Sequence, residues 1–420
     1  MSEIRVRGLL PLNGEISIQG SKNAALPMMA GAVLHKGITV LTNVPDIRDV
    51  CCMMKLLELI GCRCQKKGDC LVIDARELKR CEIPSEQVRA MRSSIMLLGP
   101  LVSRLGEGIS SYPGGCLIGA RPIDLHLMAL RTLGAQVEES EDRIRVSVLK
   151  KEGLSGGEIF LPYPSVGATE QAVLASVLAG GVTIVRGAAR EPEIAQLCHF
   201  LNNMGAVICG MGTDCLMIQG VTSLKDSSFS IEGDRIAAGT YGAALMAAGG
   251  KILLKGIRPA QLRIPLEALR ISGAQVRTGE REIQIESHGR PGAQDLRTEP
   301  YPGFPTDLQS PYLAFLACGR GVSHLEETVF EERFAAAESL KKMGALIRRE
   351  GSRLKIRGVY PLRAAEVRAK DLRGGAALVV AALAAEGETR ILDCEHIQRG
   401  YEDICRDLGA LGAEVEWTKE

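Results

Sequence analysis

Two patterns of hydrophobic and small residues recur along the 420-residue chain at a common interval. The first is apolar-x-x-apolar-Gly-Ala/Cys-x-apolar, which is typical of an amphipathic helix that ends at its glycine. It occurs six times, as LELIGCRC, LRTLGAQV, LNNMGAVI, LRISGAQV, LKKMGALI and LGALGAEV. The six glycines, which lie 68–73 residues apart, are Gly61, Gly134, Gly205, Gly273, Gly344 and Gly412.

The second pattern is a glycine that follows an alanine-rich stretch and opens a β-branched strand. Its copies lie 66–73 residues apart, at Gly37, Gly108, Gly181, Gly250, Gly321 and Gly387. Two patterns that keep the same interval indicate that one structural unit is repeated.

Each copy predicts the same order of elements. An alanine- and leucine-rich helix comes first, most clearly at 24–34, 171–178, 241–248 and 376–385. We expect the following glycine to end it in a left-handed conformation. A strand, a turn, the amphipathic helix and a further strand complete the unit, which predicts an α/β (α+β) fold with sheet on one side and helix on the other. A repeat of this length exceeds the roughly 20–45 residues of solenoid units, so six units predict two domains of three units, each closed around a helical interior.

The division between the domains is expected within 225–234, the midpoint of the six units. The first strand, expected over 4–9, precedes the first helix and completes no N-terminal unit. It could pair with the last unit, so that the chain crosses between domains twice. The predicted domains are therefore 21–230, and 1–20 together with 231–420.

The composition excludes several classes of protein. Lys and Arg number 51 and Asp and Glu 50, so a generally nucleic-acid-binding surface is not expected, although a local basic patch can persist within a neutral sum. The aromatic content of 4% predicts aliphatic cores. The apolar run at 376–385 is too short to span a bilayer, and residues 1–7 lack the apolar segment of a signal peptide. We expect a cytoplasmic protein without a membrane partner, as a monomer or weak oligomer.

The thirteen cysteines show no disulfide spacing and predict reduced thiols. Six of them occur early, at Cys51, Cys52, Cys62, Cys64, Cys70 and Cys81. A zinc site usually needs two closely spaced cysteine pairs or a cysteine and histidine set, which Cys62-x-Cys64 alone matches poorly. We favour small buried residues over a metal site.

The starts of the amphipathic helices concentrate charge, at 45–48, 119–124, 190–193, 258–259, 331–333 and 399–402. Ordinary helix-start chemistry explains the proline and the acids there, but the helix dipole disfavours the arginines. An arginine beside free backbone N–H groups makes an anion site. If several such helix starts face one cleft, the ligand is expected to be multiply anionic. The alternative, that these residues only stabilise the starts of the helices, stays open.

A glycine-rich loop over 112–122 places Cys116 five residues before Arg121. A thiol near positive charge has a lowered pKa and is reactive, and such a loop offers little core to bury it, so we favour a functional cysteine over an incidental one. Three further segments are weaker. At 21–25 the simpler interpretation is an N-cap by Ser21 or Asn23 with an exposed Lys22, and at 301–308 and 370–373 it is again helix capping, by Asp307 in the first case.

Taken together, these segments resemble the UDP-N-acetylglucosamine 1-carboxyvinyltransferases, enolpyruvyl transferases that carry out the first committed step of peptidoglycan precursor synthesis. The resemblance covers essentially the whole chain. Its strongest segments are 20–25, 91–94, 113–125, 165–169, 189–193, 304–307, 327–334, 371–373 and 399–402. It implies a two-domain inside-out α/β barrel of βαββαβ-like repeats with the active site between the domains, and a role in cell-wall biogenesis, cell shape and cell division.

The resemblance also implies the chemistry. Phosphoenolpyruvate is protonated at C3, the sugar 3′-hydroxyl adds to C2, and phosphate leaves the tetrahedral intermediate, with no metal or organic cofactor. The implied catalytic residues are Cys116, which donates the proton and forms a transient covalent phosphoenolpyruvate adduct, and Asp307, which accepts the hydroxyl proton. The implied phosphoenolpyruvate-binding residues are Lys22, Arg92, Arg121 and Arg399. The implied UDP-N-acetylglucosamine-binding residues are Asn23, Arg92, Arg121, Pro122, Ile123, Asp124, Leu125, Ser165, Val166, Gly167, Asp307 and Val329. Arg333, Asp371 and Arg373 are implied as supporting residues.

One position departs from the family pattern. The family often has a lysine two places before the Ser-Val-Gly turn, where this chain has Tyr163, which adds no charge. Two rival functions remain. One is transfer of the same enolpyruvyl group to shikimate 3-phosphate, against which the Pro-Gly-Gly-Cys loop and the Ser-Val-Gly turn argue. The other is a non-catalytic paralogue that binds the nucleotide sugar, against which the intact Lys22, Cys116, Asp307 and Arg399 argue.

Overall fold

The computed structural model describes residues 2–114, 119, 122–149 and 153–419, without the side chains of Ala90 and Lys419. Contacts within the chain group residues 20–114 and 122–232 into one compact unit, here the N-terminal unit. Residues 2–19 and 233–419 form the other, the C-terminal unit. Each unit is described on its own.

Helices are interspersed with runs of one to four strands along the described chain. The helices are α1 (Lys22–Ala32), α2 (Arg48–Ile60), α3 (Ser85–Ala90), α4 (Leu98–Leu105), α5 (Asp124–Thr132), α6 (Val166–Ser176), α7 (Pro192–Asn203), α8 (Arg235–Ala248), α9 (Arg263–Ile271), α10 (Gln309–Cys318), α11 (Ala335–Lys342), α12 (Leu372–Ala382) and α13 (Ile404–Ala410). Short 3-10 helices lie at Arg92–Leu97, Pro259–Leu262, Thr306–Leu308 and Cys394–Arg399. The strands are β1 (Ser2–Arg7), β2 (Leu12–Ser17), β3 (Ile38–Thr42), β4 (Arg63–Lys67), β5 (Cys70–Asp74), β6 (Glu107–Ser110), β7 (Gln136–Glu139), β8 (Ile144–Ser147), β9 (Glu158–Phe160), β10 (Val182–Arg186), β11 (Val207–Cys209), β12 (Cys215–Gln219), β13 (Ser227–Ser230), β14 (Gly250–Lys255), β15 (Gln275–Thr278), β16 (Glu282–Ser287), β17 (Asp295–Arg297), β18 (Val322–Glu326), β19 (Leu346–Glu350), β20 (Arg353–Arg357), β21 (Leu362–Arg363), β22 (Glu366–Arg368), β23 (Ala385–Glu386), β24 (Glu388–Leu392) and β25 (Glu414–Lys419).

The strands pair in a recurring order. Within the described ranges, five sheets consist of one parallel pair extended by two antiparallel strands: β13-β3-β5-β4, β9-β10-β12-β11, β2-β14-β16-β15, β17-β18-β20-β19 and β22-β24-β1-β25. A three-stranded sheet, β6-β8-β7, is antiparallel, and β21 pairs with β23. The first strand, β1, lies between β24 and β25, which confirms that the N-terminal strand pairs with the last unit of the chain.

Three helices in each unit are buried along most of their length. They are α1, α4 and α6 in the N-terminal unit and α8, α10 and α12 in the C-terminal unit. Helices α1, α6, α8, α10 and α12 are rich in alanine and other apolar residues and have no continuous polar face, so they can be covered on every side. Helix α4 instead buries its first five residues, Leu98 to Val102. The amphipathic helices α2, α5, α7, α9, α11 and α13 instead bury one apolar face. The alanine-rich stretches therefore form the interior of each unit, as expected.

The glycines of the two patterns behave differently. All six glycines of the first pattern lie just after an amphipathic helix, which confirms that these helices end there, and their φ values of 85–111° are left-handed. The prediction that the second pattern's glycines cap the alanine-rich helices is wrong. Helices α1, α6 and α12 end at Ala32, Ser176 and Ala382, five residues before those glycines. Helices α1 and α12 close through hydrogen bonds from the next residue, Val33 or Leu383, to carbonyls of the last turn. The later glycine lies in the turn that opens the next strand.

The described part of the chain contains no helix with both the length and the apolar character needed to cross a membrane. The twelve cysteines within it form no disulfide. Burial raises the pKa of the Cys62, Cys64, Cys198 and Cys394 thiols to about 12, so these groups stay protonated and unreactive. Among the same residues, no group of three or more His, Cys, Asp or Glu side chains is arranged to hold a metal ion.

Candidate active site

The N-terminal ends of the buried helices carry half of the site residues singled out from the sequence. Lys22 is the first residue of α1, Val166 and Gly167 open α6, and Arg92 begins the 3-10 helix that leads into α4. In the C-terminal unit, Asp307 lies in the 3-10 helix before α10 and Arg373 in the first turn of α12. Helix N-termini present unpaired N–H groups and a partial positive charge, so each unit gathers groups that favour anions.

Lys22 is held inside the N-terminal unit. Its Nζ lies 2.7 Å from Oδ2 of Asp49, and the two side chains are 13% and 4% exposed. The Oγ of Ser21 caps α1 by accepting a hydrogen bond from the N–H of Ala24. The N-cap prediction for Ser21 is therefore confirmed, whereas the accompanying expectation of an exposed lysine is wrong. Asp49, in the first turn of α2, fixes the ammonium group near the start of α1.

The Ser165–Gly167 turn is organised by the start of α6. Ser165 Oγ accepts a hydrogen bond from the N–H of Ala168, and the Thr169 hydroxyl donates to the Ser165 carbonyl at 2.8 Å. Gly167 is required because a Cβ there would lie 2.9 Å from the imidazole of His126 on α5. The buried His126 thus joins this turn to the helix that begins at Asp124.

Tyr163, the position that departs from the family pattern, is 52% exposed. Partial burial and the nearby Asp124 carboxylate raise the pKa of its phenol, which therefore stays neutral near pH 7. Tyr163 therefore adds no positive charge beside Asp124.

Arg92 lies beside the start of α5. Its Nη2 donates to the carbonyl oxygen of Pro122 at 3.4 Å. A cavity of about 340 Å³ lies here, and its lining includes Arg92, Pro122, Ile123 and Asp124. Leu125 follows in the first turn of α5 and is buried. The structure thus brings Arg92 together with three of the residues expected to contact the nucleotide sugar.

Two arginines of the C-terminal unit form ion pairs with Asp307. Its Oδ1 lies 2.8 Å from Nη1 of Arg333, and its Oδ2 lies 2.9 Å from Nη2 of Arg373. The carboxylate is 24% exposed, whereas the two guanidinium side chains are 9% and 5% exposed. Asp307 does not cap a helix, because the 3-10 helix begins after Pro305 without a side-chain cap. The capping alternative for Asp307 is therefore wrong, and its carboxylate is partly exposed.

Arg373 extends this cluster into the buried interior. Its Nη1 donates to the Tyr401 hydroxyl at 3.4 Å, and that hydroxyl lies 2.8 Å from the Thr240 Oγ1. Burial disfavours the charge on Arg373, but Asp307, Tyr401 and Asp234 more than offset it, so the pKa of the guanidinium lies above its usual range. A permanently charged, rigid arginine behind a carboxylate holds that carboxylate in its ionised form.

The remaining predicted residues lie on different elements of the two units. Asp371 caps α12 by accepting hydrogen bonds from the N–H groups of Arg373 and Gly374 at 3.0 and 2.8 Å, which confirms the capping interpretation of the 370–373 segment. Asn23 follows Lys22 in α1, and Arg399 ends the 3-10 helix over Cys394–Arg399. Val329 lies in the loop between β18 and α11. Cys116 and Arg121 lie outside the described residues.

Three contributors were missed from the sequence. Thr306 and Glu327 are linked by a 2.9 Å hydrogen bond beside Asp307, although they are 21 residues apart and share no motif. Asp49, the partner of Lys22, could have been found, since it is an acid in the first turn of an amphipathic helix.

The comparisons with known proteins agree with one another. Residues 6–408 match the family model described as EPSP synthase (3-phosphoshikimate 1-carboxyvinyltransferase). A UDP-N-acetylglucosamine 1-carboxyvinyltransferase 2 from Caldanaerobacter subterraneus subsp. tengcongensis is 45% identical over 99% of both chains. The UDP-N-acetylglucosamine 1-carboxyvinyltransferase of Cellvibrio japonicus is 44% identical over the full length of both chains.

Solved structures show the same fold. The enolpyruvyl transferase NikO from Streptomyces tendae has a TM-score of 0.89 at 22% identity, covering 100% of this chain and 99% of its own. An EPSP synthase from Acinetobacter baumannii has a TM-score of 0.76 at 18% identity, with both chains covered completely. The chain has the mixed α/β fold of these enzymes and belongs to the EPSP synthase family of enolpyruvyl transferases and, within it, to the UDP-N-acetylglucosamine 1-carboxyvinyltransferases.

Proposed function

We propose that this chain transfers the enolpyruvyl group of phosphoenolpyruvate to the 3′-hydroxyl of UDP-N-acetylglucosamine and releases phosphate, in the first committed step of peptidoglycan precursor synthesis. The observation that carries the proposal is the partly exposed Asp307 carboxylate, held by Arg333 and Arg373. The choice of acceptor is supported by relatives of that name, which are 41–45% identical over 97–100% of this chain.

The proposed architecture is two domains, 21–230 and 1–20 with 231–420, each an inside-out α/β barrel of three βαββαβ-like repeats. The shared pairing order of the sheets and the three buried helices in each unit support this proposal. The repeated helix starts then explain why cations recur at equivalent places in the chain.

The proposed reaction proceeds by addition and elimination. Cys116 delivers a proton to C3 of phosphoenolpyruvate, and the 3′-oxygen of the sugar bonds to C2 as its hydroxyl proton passes to Asp307. The Cys116 thiolate formed in the first step then takes a proton from C3 of the tetrahedral intermediate, and the C2–C3 double bond re-forms. The electron pair of the C2–O bond leaves with phosphate, which takes up the proton held by Asp307. Asp307 suits the role of base because its arginines keep it ionised.

Fixed cations are proposed to hold the phosphate and carboxylate of phosphoenolpyruvate. Lys22, Arg92, Arg121 and Arg399 take this role, and the start of α1 adds the partial charge of its N–H groups. Their charges stabilise the phosphate dianion as it leaves. The nucleotide sugar is proposed to contact Asn23, Pro122 to Leu125, Ser165 to Gly167 and Val329, and Asp371 supports the cleft from the start of α12.

Replacing Cys116 with alanine is expected to slow turnover at least 100-fold while leaving UDP-N-acetylglucosamine binding nearly unchanged, because general acid catalysis contributes about 10²–10⁴-fold. Steady-state kinetics and calorimetry measure the two quantities. Cys51→Ala, which removes an exposed cysteine, should leave both unchanged. An epoxide phosphonate should label Cys116 and no other cysteine, as read by peptide mass spectrometry. Loss of nucleotide-sugar binding in Cys116→Ala would instead make the cysteine structural.

Replacing Tyr163 with lysine is expected to lower KM for UDP-N-acetylglucosamine about threefold to tenfold at low salt, with kcat unchanged. The new ammonium group would lie beside Asp124 and offset its charge near the diphosphate, an effect that salt screens. Tyr163→Phe, the matched control, should change KM less than twofold. An unchanged KM in Tyr163→Lys at low salt would show that this corner does not face the nucleotide.

Mass spectrometry of the product tests the proposed function. Incubation with both substrates should convert UDP-N-acetylglucosamine into a species heavier by one enolpyruvyl group. An unmodified nucleotide sugar, with the ligand bound, would favour the non-catalytic paralogue instead.

A further inference from the structure

A second carboxylate of the C-terminal unit, that of Glu327, lies behind Asp307 and has no role in the chemistry proposed above. Glu327 follows β18 and is 2% exposed. Its Oε1 accepts hydrogen bonds from the Thr298 hydroxyl at 2.9 Å and from the N–H groups of Val329 and Phe330 at 2.8 and 3.0 Å. Its Oε2 accepts from the Thr306 hydroxyl at 2.9 Å. Four donors thus fix one buried carboxylate in a single orientation.

These hydrogen bonds connect Glu327 to Asp307 through Thr306 and Arg333. A carboxylate only accepts, so the Thr306 hydroxyl must donate its proton to Glu327. The Thr306 oxygen is then left as an acceptor, and Nη1 of Arg333 donates to it at 2.9 Å. The same Nη1 lies 2.8 Å from Oδ1 of Asp307. The orientation of Glu327 therefore dictates where Arg333 can place its charge.

Glu327 also constrains Arg333 from a second side. The guanidinium carbon of Arg333 lies 5.0 Å from the centroid of the Phe330 ring, and Glu327 binds the backbone N–H of that same phenylalanine. Arg333 is buried, so its side chain has little room to adopt another position. The neighbouring N–H that Glu327 binds belongs to Val329, a proposed contact of the nucleotide sugar.

We propose that Glu327 is a positioning residue for proton transfer to Asp307, acting through the Thr306 hydroxyl and Arg333. This inference rests on the proposed function, in which Asp307 is the base. The carboxylate of Glu327 sets the polarity of the Thr306 hydroxyl, that hydroxyl holds Arg333, and Arg333 holds one oxygen of Asp307. The other oxygen is held independently by Arg373.

The test compares Thr306→Val, which keeps the shape but removes the hydroxyl, with Thr306→Ser, which keeps the hydroxyl. We expect kcat to fall on the order of tenfold in Thr306→Val, because small misplacements of a catalytic group cost that much or more, and to stay within about threefold of wild type in Thr306→Ser. The acid limb of the kcat profile against pH should move to higher pH in Thr306→Val. A carboxylate that loses contact with a guanidinium binds a proton more readily, so activity is lost earlier as pH falls.

Glu327→Gln should lower kcat and move the acid limb in the same direction, since an amide can reverse the polarity of the hydrogen bond to Thr306. The double variant should lose no more than the larger single change, because both act through one path. Glu338→Gln, at an exposed site on α11 paired only with Lys341 among the ion pairs of the described residues, is the matched control and should behave as wild type. Thermal unfolding measurements check that each variant is folded. If Glu327→Gln does not fold, the comparison of Thr306→Val with Thr306→Ser is sufficient to test the inference.

Three results would overturn the inference: wild-type kcat in Thr306→Val, an equal loss in Thr306→Ser, or a lower kcat without movement of the acid limb. Multiplicative losses in the double variant would refute the shared path. A wild-type enzyme that releases no phosphate would refute the proposed function and this inference together. An active wild type with an unaffected Thr306→Val would refute this inference alone.

Discussion

Replacing Asp307 with asparagine is expected to lower kcat by about 10²–10⁴-fold, with KM for both substrates changed little. An amide has the size of the carboxylate but cannot accept the proton of the sugar hydroxyl, and general base catalysis contributes a factor of this order. The change also leaves Arg333 and Arg373, which are 9% and 5% exposed, without their shared negative partner. We therefore expect the free energy of unfolding to fall by about 3 kcal/mol, the lower end for a broken buried pair, because the carboxylate is partly solvated.

The matched control is Asp295→Asn, which removes a largely exposed carboxylate of the same unit that pairs only with His324 among the ion pairs of the described residues. It should leave kcat and stability unchanged. Steady-state kinetics and denaturant unfolding measure the two effects. An Asp307→Asn enzyme within threefold of wild-type kcat would show that another group accepts the proton.

Replacing Lys22 with methionine is expected to lower kcat/KM for phosphoenolpyruvate about 10²–10³-fold, because removing one preorganised donor from a developing anion costs a factor of this size. Methionine preserves the length of the side chain but not its charge. The Kd of UDP-N-acetylglucosamine should change little, since Lys22 is assigned to the other substrate. Loss of the ammonium group also leaves Asp49, 4% exposed, without this cation, so a lower unfolding temperature is expected.

Lys36→Met is the control for this change, because it removes an exposed lysine that follows α1. It should leave kcat/KM unaltered. If Lys22→Met weakened nucleotide-sugar binding as strongly as it weakened use of phosphoenolpyruvate, the lysine would serve the pairing with Asp49 and the packing of the N-terminal unit rather than the phosphate.

The sequence predicted those features of the fold that depend on local physics. A glycine after an amphipathic helix needs a left-handed conformation, and all six such glycines have it. A helix without a polar face must be buried, as the alanine-rich helices are. The predicted ends of the alanine-rich helices were wrong, because such a helix carries no sequence signal for its last residue. The glycine that follows instead marks the start of the next strand.

The candidate site was predictable where a motif is contiguous and not where contacts join distant segments. The start of α1 was found as a segment, but the burial of Lys22 depends on Asp49, which belongs to another helix. Asp307 had the local pattern of a capping residue, and only the fold brings Arg333 and Arg373 to it. Thr306 and Glu327 are adjacent only through the packing of the C-terminal unit, so spacing along the chain could not reveal them.

The central claim is tested most directly by phosphate release from phosphoenolpyruvate with the purified wild-type chain, measured with UDP-N-acetylglucosamine and, separately, with shikimate 3-phosphate as acceptor. The predicted result is steady phosphate release that requires UDP-N-acetylglucosamine and is absent with shikimate 3-phosphate. Release with shikimate 3-phosphate alone, or no release with either acceptor, would contradict it.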